Sequence, residues 1–188
     1  MAARWSVAIA VALCVLPLAI ALFFRDPART SPADASLVLA PADGKVMHAG
    51  PADLAHAPAG HWLQVVIFLS PLDVHINRTP VSGTVEQVLY FPGTFVPAYH
   101  HDAASNERSE IWLNHNGVTV VVRQIVGMLA RRVVCRVTAG QTLAAGERIG
   151  LMKFGSRMDV FLPVTAALVV KPGDRTVAGE SVLARLAG

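Results

Sequence analysis

Beyond residue 30 the chain is a succession of short apolar runs broken by glycine and proline: "HWLQVVIFLS", "GTVEQVLYF", "SEIWLNH", "GVTVVVRQIVG", "RRVVCRVTAG", "MDVFLPV" and "AALVVKPG". Runs of about four to eight residues rich in Val, Ile and Leu between turn formers predict strands. No apolar stripe at helical spacing exceeds about ten residues in this region, so a mostly β domain is expected, a compact sandwich or partly closed barrel. The Asn-Gly pair in "HNGV", His115 to Val118, predicts a tight hairpin between two of the runs.

The opening pattern differs. Trp5 to Phe24 reads "WSVAIAVALCVLPLAIALFF" without a charge, about the twenty residues a helix needs to cross a bilayer. Residues 1–24 are therefore expected to be a membrane anchor helix, and the Pro-, Ala- and Ser-rich stretch 25–36 a linker. Residues 37–188 then form one domain. Arg4 precedes the span and Arg25 and Arg29 follow it, which leans toward a C-terminal domain on the cytoplasmic side of the cell membrane.

Composition refines this picture at two points. A net charge of +3 with no block of like sign is too diffuse for a nucleic-acid face, though it suits anionic headgroups. The two cysteines, Cys14 and Cys135, fall in separate parts of the chain, so neither a disulfide nor a cysteine metal site is expected.

Four stretches place reactive side chains among apolar ones. In "PADGKV", Asp43 before Gly44 reads by itself as a turn. In "FLSPLDVHINRTPVSG", Asp73 and His75 share one face of an extended chain at a strand end, and a carboxylate can set the tautomer of an imidazole base. His100 and His101 are adjacent, hence on opposite faces and poorly spaced for a shared metal. A loop over the site or against the membrane is the better reading there. Asn106, Glu107 and Arg108 follow as substrate contacts or a solvated turn. Last, "KFGSR" sets Gly155 and Ser156 between apolar runs; on its own this is a turn signal.

Taken in order, "PADGKV", "FLSPLDVHINRTPVSG", "YFPGTF", "NER" and "FGSRMDVFLP" resemble the phosphatidylserine decarboxylases. The similarity is to the short, membrane-anchored members, which read FGSR where longer ones read LGST. That resemblance implies a proenzyme cut between Gly155 and Ser156. Residues 1–155 become a β chain and residues 156–188 an α chain, the two forming a heterodimer, with a homo-oligomer left open. Ser156 becomes a covalent pyruvoyl group, without metal or PLP, that forms a Schiff base with phosphatidylserine in the membrane and releases phosphatidylethanolamine. By the same resemblance His75 is the base of self-cleavage, Asp43 its carboxylate partner, and Asp73 a second carboxylate of the site. Arg78 stands where longer members have another histidine; it, Asn106 and Arg108 are candidate substrate contacts.

An alternative from a different class rests on "PADGKV", "LMKF" and the C-terminal "VKPGDRTVAGESVLARL". These resemble a biotinyl or lipoyl carrier domain with Lys153 as the attachment site on a hairpin. The alternative leaves the Asp73–His75 block unexplained.

Overall fold

The structure is a computed structural model that describes residues 13–15, 17–18, 20–129, 132–153 and 155–187. Residues 13–15, 17–18 and 20–23 are helical. The first half of the expected anchor lies outside the described residues, and among those described no helix is long and apolar enough to cross a membrane.

The rest is β apart from one short 3-10 helix at His101–Ser105, as the short apolar runs predict. The strands are β1 (Leu37–Leu39), β2 (Gly44–Pro51), β3 (Trp62–Leu69), β4 (Ile76–Arg78), β5 (Gly83–Phe91), β6 (Arg108–His115) and β7 (Val118–Ile125). After them come β8 (Val134–Cys135), β9 (Thr142–Leu143), β10 (Arg148–Leu151), β11 (Ser156–Pro163), β12 (Ala167–Leu168), β13 (Arg175–Thr176) and β14 (Val182–Arg185). Eight of them form one curled sheet in the order β13-β2-β3-β11-β7-β6-β5-β9, a half-barrel whose end strands do not meet. Two three-stranded sheets, β4-β10-β8 and β1-β14-β12, complete the domain.

The pleat sorts the side chains of the large sheet. Val65, Ile67 and Leu69 of β3, Met158, Val160 and Leu162 of β11, and Val120 and Val122 of β7 join one hydrophobic core. Ile149 and Met152, beside the small sheet of β4 and β10, join the same core, so that sheet covers this face. A buried hydrogen bond of 2.8 Å from Gln124 to Asn77 ties the two layers together. The other face of the central strands carries a ladder of buried charges. Register sets Glu110 opposite Arg123 and Arg123 opposite Asp159, with ion pairs of 2.8 Å between Glu110 and Arg123 and 2.6 Å between Arg157 and Asp159. Gln64 donates to Asp159 at 2.9 Å, leaving these carboxylates partnered, as buried charges must be.

The Asn-Gly hairpin forms as expected. Asn116 and Gly117 adopt φ of 52° and 86° between the paired His115 and Val118, the positive values that a two-residue turn with the twist of the strands demands. Two expected strands shrink: "RRVVCRVTAG" contributes only β8 and "AALVVKPG" only β12. Conversely, β11 begins at Ser156, two residues before the apolar run that predicted it.

Candidate active site

The chain crosses from one layer to the other between β10 and β11. Leu151 pairs with Ile76 of β4, the Met152 amide donates to the His75 carbonyl at 3.1 Å, and Ser156 opens β11 opposite Leu69 at the end of β3. The connection from Met152 to Ser156 bridges the layers. It brings the start of β4, with His75 just before it, and the start of β11 to one end of the domain. Ser156 alternates with Met158 and Val160, so its side chain enters the core face.

Ser156 is fully buried, and its Oγ has no hydrogen-bond partner among the described residues. Such an orphan is costly, about 1–3 kcal/mol for a neutral group, and is concentrated where chemistry rather than packing fixes the residue. Gly155 before it has φ +70°, a left-handed conformation that side-chain-bearing residues adopt at a cost.

His75 is 1% exposed. Its Nδ1 lies 2.8 Å from the carbonyl oxygen of Asp73. A carbonyl can only accept, so Nδ1 carries the proton and Nε2 is left as the basic nitrogen. Nε2 is buried and, like Ser156 Oγ, without a partner among the described residues. Burial pushes the imidazole pKa below its ordinary value, opposed by the bond to Asp73 and by the charges of Asp73 and Asp43. The Phe23 ring lies 4.3 Å from the imidazole. Arg25, donating to the Leu72 carbonyl at 2.8 Å, adds a positive charge that also disfavours the imidazolium.

The carboxylates stand differently from the triad that the resemblance implies. Asp43 accepts from the Ala178 amide at 2.7 Å and from Arg29 at 2.9 Å; it reaches His75 through its field, not through a bond. The Asp73 carboxylate accepts from the amide and hydroxyl of Ser70 at 2.8 and 2.7 Å, pinning the turn whose carbonyl orients the imidazole. The expected substrate contacts are engaged in the fold. Arg78 is buried, donating to the Gly146 carbonyl at 3.0 Å and to Asp26 at 2.9 Å. Asn106 is wholly buried and clamps Val96 and Val126. Arg108 lies over the Phe91 ring at 4.4 Å and pairs with Glu110 at 3.3 Å. Lys153 sits between β10 and β11, which belong to different sheets, so the hairpin that a carrier domain needs is not formed.

Two features escape a reading of the sequence. Phe23 belongs by pattern to the anchor, yet it roofs His75. Gly127 reads as the end of a strand run, yet it meets the Gly155 carbonyl. An apolar cavity of about 160 Å³ opens beside Gly155, lined by Phe68, Pro97, Tyr99, Met128 and Leu129 among others. Its lining is partly exposed, Leu129 being 68% accessible, and Leu72, next in the chain to the lining Pro71, is 84% accessible.

Comparison with known proteins identifies the family. The family model described as phosphatidylserine decarboxylase matches residues 16–184. The chain is 45% identical over 186 residues to the phosphatidylserine decarboxylase proenzyme of Trichlorobacter lovleyi, covering 96% of this chain and 84% of that one. It is 44% identical over 164 residues to the proenzyme of Pelodictyon phaeoclathratiforme (87% and 77% of the two chains) and 45% over 165 residues to that of Prosthecochloris aestuarii (87% and 76%). A match this long, with Gly155, Ser156 and His75 gathered at one end of the sheet, makes this chain a member of the phosphatidylserine decarboxylase family.

Proposed function

We propose that the protein cuts itself between Gly155 and Ser156, converts Ser156 into a pyruvoyl group, and with it decarboxylates phosphatidylserine to phosphatidylethanolamine. The observation that carries this reading is the buried, partnerless Ser156 hydroxyl directly after a left-handed glycine. Nothing in the packing needs a hydroxyl there.

His75 Nε2 takes the Ser156 proton, as a neutral buried imidazole is suited to do. The freed Oγ attacks the Gly155 carbonyl carbon, and the amide becomes an ester. Loss of the Ser156 Cα proton then expels the Gly155 carboxylate, which ends the β chain at residue 155. Addition of water to the remaining enamine and departure of ammonia leave the keto-acyl end on residue 156. His75, whose tautomer is held by Asp73, is the residue placed to move these protons. The positive charge of Arg25 and burial under Phe23 keep it neutral for the first step.

The pyruvoyl group supplies a carbonyl that draws off the electrons left when the substrate carboxylate departs. Around it the chain's part is to bind and exclude water. The apolar cavity beside Gly155, with the exposed Leu129 in its lining, is suited to the glycerol end of a lipid, and the charged headgroup then lies toward Ser156. Asn106 braces the chain on either side of it through Val96 and Val126, Arg78 holds the fold away from the cavity through Asp26 and Gly146, and Asp43 contributes field. In this reading residues 1–24 anchor the domain at the cell membrane with its catalytic part on the cytoplasmic side, the α and β chains staying together as a heterodimer.

The test is carbon dioxide release from phosphatidylserine in mixed micelles. Wild-type protein releases it and Ser156→Ala does not; a Ser156→Ala protein as active as wild type contradicts the proposal.

A further inference from the structure

We propose that Gly127 is a positioning residue for self-cleavage: its bare Cα forms the wall against which the Gly155 carbonyl is held for attack. The inference rests on the self-cleavage reading above and adds a residue to it.

Gly155 and Gly127 are glycines for different reasons. A methyl group on Gly155 would meet nothing within 4 Å among the described residues; what requires glycine there is φ +70°. Gly127 is the reverse case. Its φ lies outside the left-handed region, so its backbone accepts alanine, but a methyl group would overlap the Gly155 carbonyl oxygen and sit 3.1 Å from the Gly155 carbonyl carbon. The site therefore needs closeness at Gly127, and what comes close is the carbonyl of the bond to be cut.

The wall is rigid. Ile125, two residues earlier, is paired to both Arg157 and Arg108. The Val126 amide donates to the Glu107 carbonyl at 3.1 Å, and the Val126 carbonyl accepts from the wholly buried Asn106 at 2.8 Å. The Ala98 methyl would lie 3.3 Å from a methyl group at 127, so the added carbon is crowded by a second neighbour as well. Ser156 is fixed by β11, which leaves the orientation of the Gly155 peptide as the remaining freedom of the attack, and Gly127 limits it. Because an error of about 1 Å in placing reacting groups can cost about 100-fold in rate, Gly127→Ala should slow self-cleavage by about that factor.

The experiment follows full-length protein, made by cell-free synthesis in detergent, by intact mass over time. Wild type splits, Gly127→Ala splits about 100-fold more slowly, and hydroxylamine, which cuts an accumulated ester, does not speed Gly127→Ala, because the block precedes the ester. Once cut, Gly155 is a free chain end, so activity per keto-acyl group in the matured Gly127→Ala fraction matches wild type; a merely loosened fold would lower both. If Gly127→Ala does not give a cooperative melt, Gly127→Ala/Ala98→Gly restores room and is compared with Ala98→Gly. A folded variant that cuts within twofold of its parent overturns the inference, as does failure of both variants to fold, which would make Gly127 a packing residue. Ser156→Ala separates the two levels. If it too splits, the self-cleavage reading fails; if it stays whole while Gly127→Ala cuts at the parental rate, only the role of Gly127 fails.

Discussion

Asn106 distinguishes a substrate contact from a structural clamp most sharply. Its Oδ1 accepts from the Val96 amide at 2.9 Å and the Thr94 hydroxyl at 3.0 Å, and its Nδ2 donates to the carbonyls of Val96 and Val126, both at 2.8 Å. Alanine removes all four bonds and strands three backbone groups in a region that water reaches poorly. At about 1 kcal/mol for each backbone bond the cost is about 3 kcal/mol. For a protein of this size that lowers Tm by about 6–12 °C. Aspartate retains the acceptor but loses both donors and turns a charge toward two carbonyls, so it should cost at least as much. The assay is thermal unfolding in the Ser156→Ala background, where the chain stays whole and the comparison is between single polypeptides. A substrate contact would behave otherwise: Asn106→Ala would leave Tm within about 2 °C, the change expected of about 0.5 kcal/mol, and raise KM for phosphatidylserine. That result would refute the clamp.

The remaining predictions concern the base, an ion pair and two exposed leucines. The proposed self-cleavage needs neutral His75, whose pKa burial holds below the ordinary 6.5; on that proposal the maturation rate should rise with pH through an inflection below 6.5 and be flat above it, as time courses across pH will test. The same depressed pKa means that the unfolded chain binds the proton more readily, so the contribution of His75 to stability is complete above 6.5 and declines as pH falls below it, as melts of His75→Gln against its parent will check. Arg78→Met removes a buried guanidinium from Asp26 and the Gly146 carbonyl and should cost about 1–2 kcal/mol in urea unfolding while leaving KM for the lipid unchanged. Leu72→Glu and Leu129→Glu alter exposed side chains; they should change stability by less than about 0.5 kcal/mol yet lower activity on vesicles far more than in detergent micelles.

Much of the fold was legible because its signals are local. "GTVEQVLYF" becomes β5 residue for residue, and the Asn-Gly turn needs only the two backbones that form it. The two-residue strands β8 and β12 pair with only two residues each of β10 and β14, and the extent of a pairing is not written in the strand itself. The chemistry of the site was legible as residue types in order, but not as bonds. Asp73 bonds His75 through its carbonyl oxygen while its carboxylate acts by charge and by holding the turn; the carbonyl is a main-chain group that every residue has and that pattern therefore cannot single out. Arg78 and Asn106 look like recognition residues because they are polar in an apolar stretch; their partners, Asp26, Gly146 and Val126, lie 20 to 68 positions away in the chain. Gly127 was invisible because its meaning is a contact across the sheet, not a turn of its own.

The account depends on the peptide bond after Gly155, and intact mass reads that bond directly. Full-length wild-type protein should resolve into two polypeptides, residues 1–155 and 156–188, the smaller one lighter by one ammonia than simple hydrolysis would leave it, while Ser156→Ala remains a single chain of about 19.9 kDa. Active wild-type protein recovered whole at that mass would contradict it.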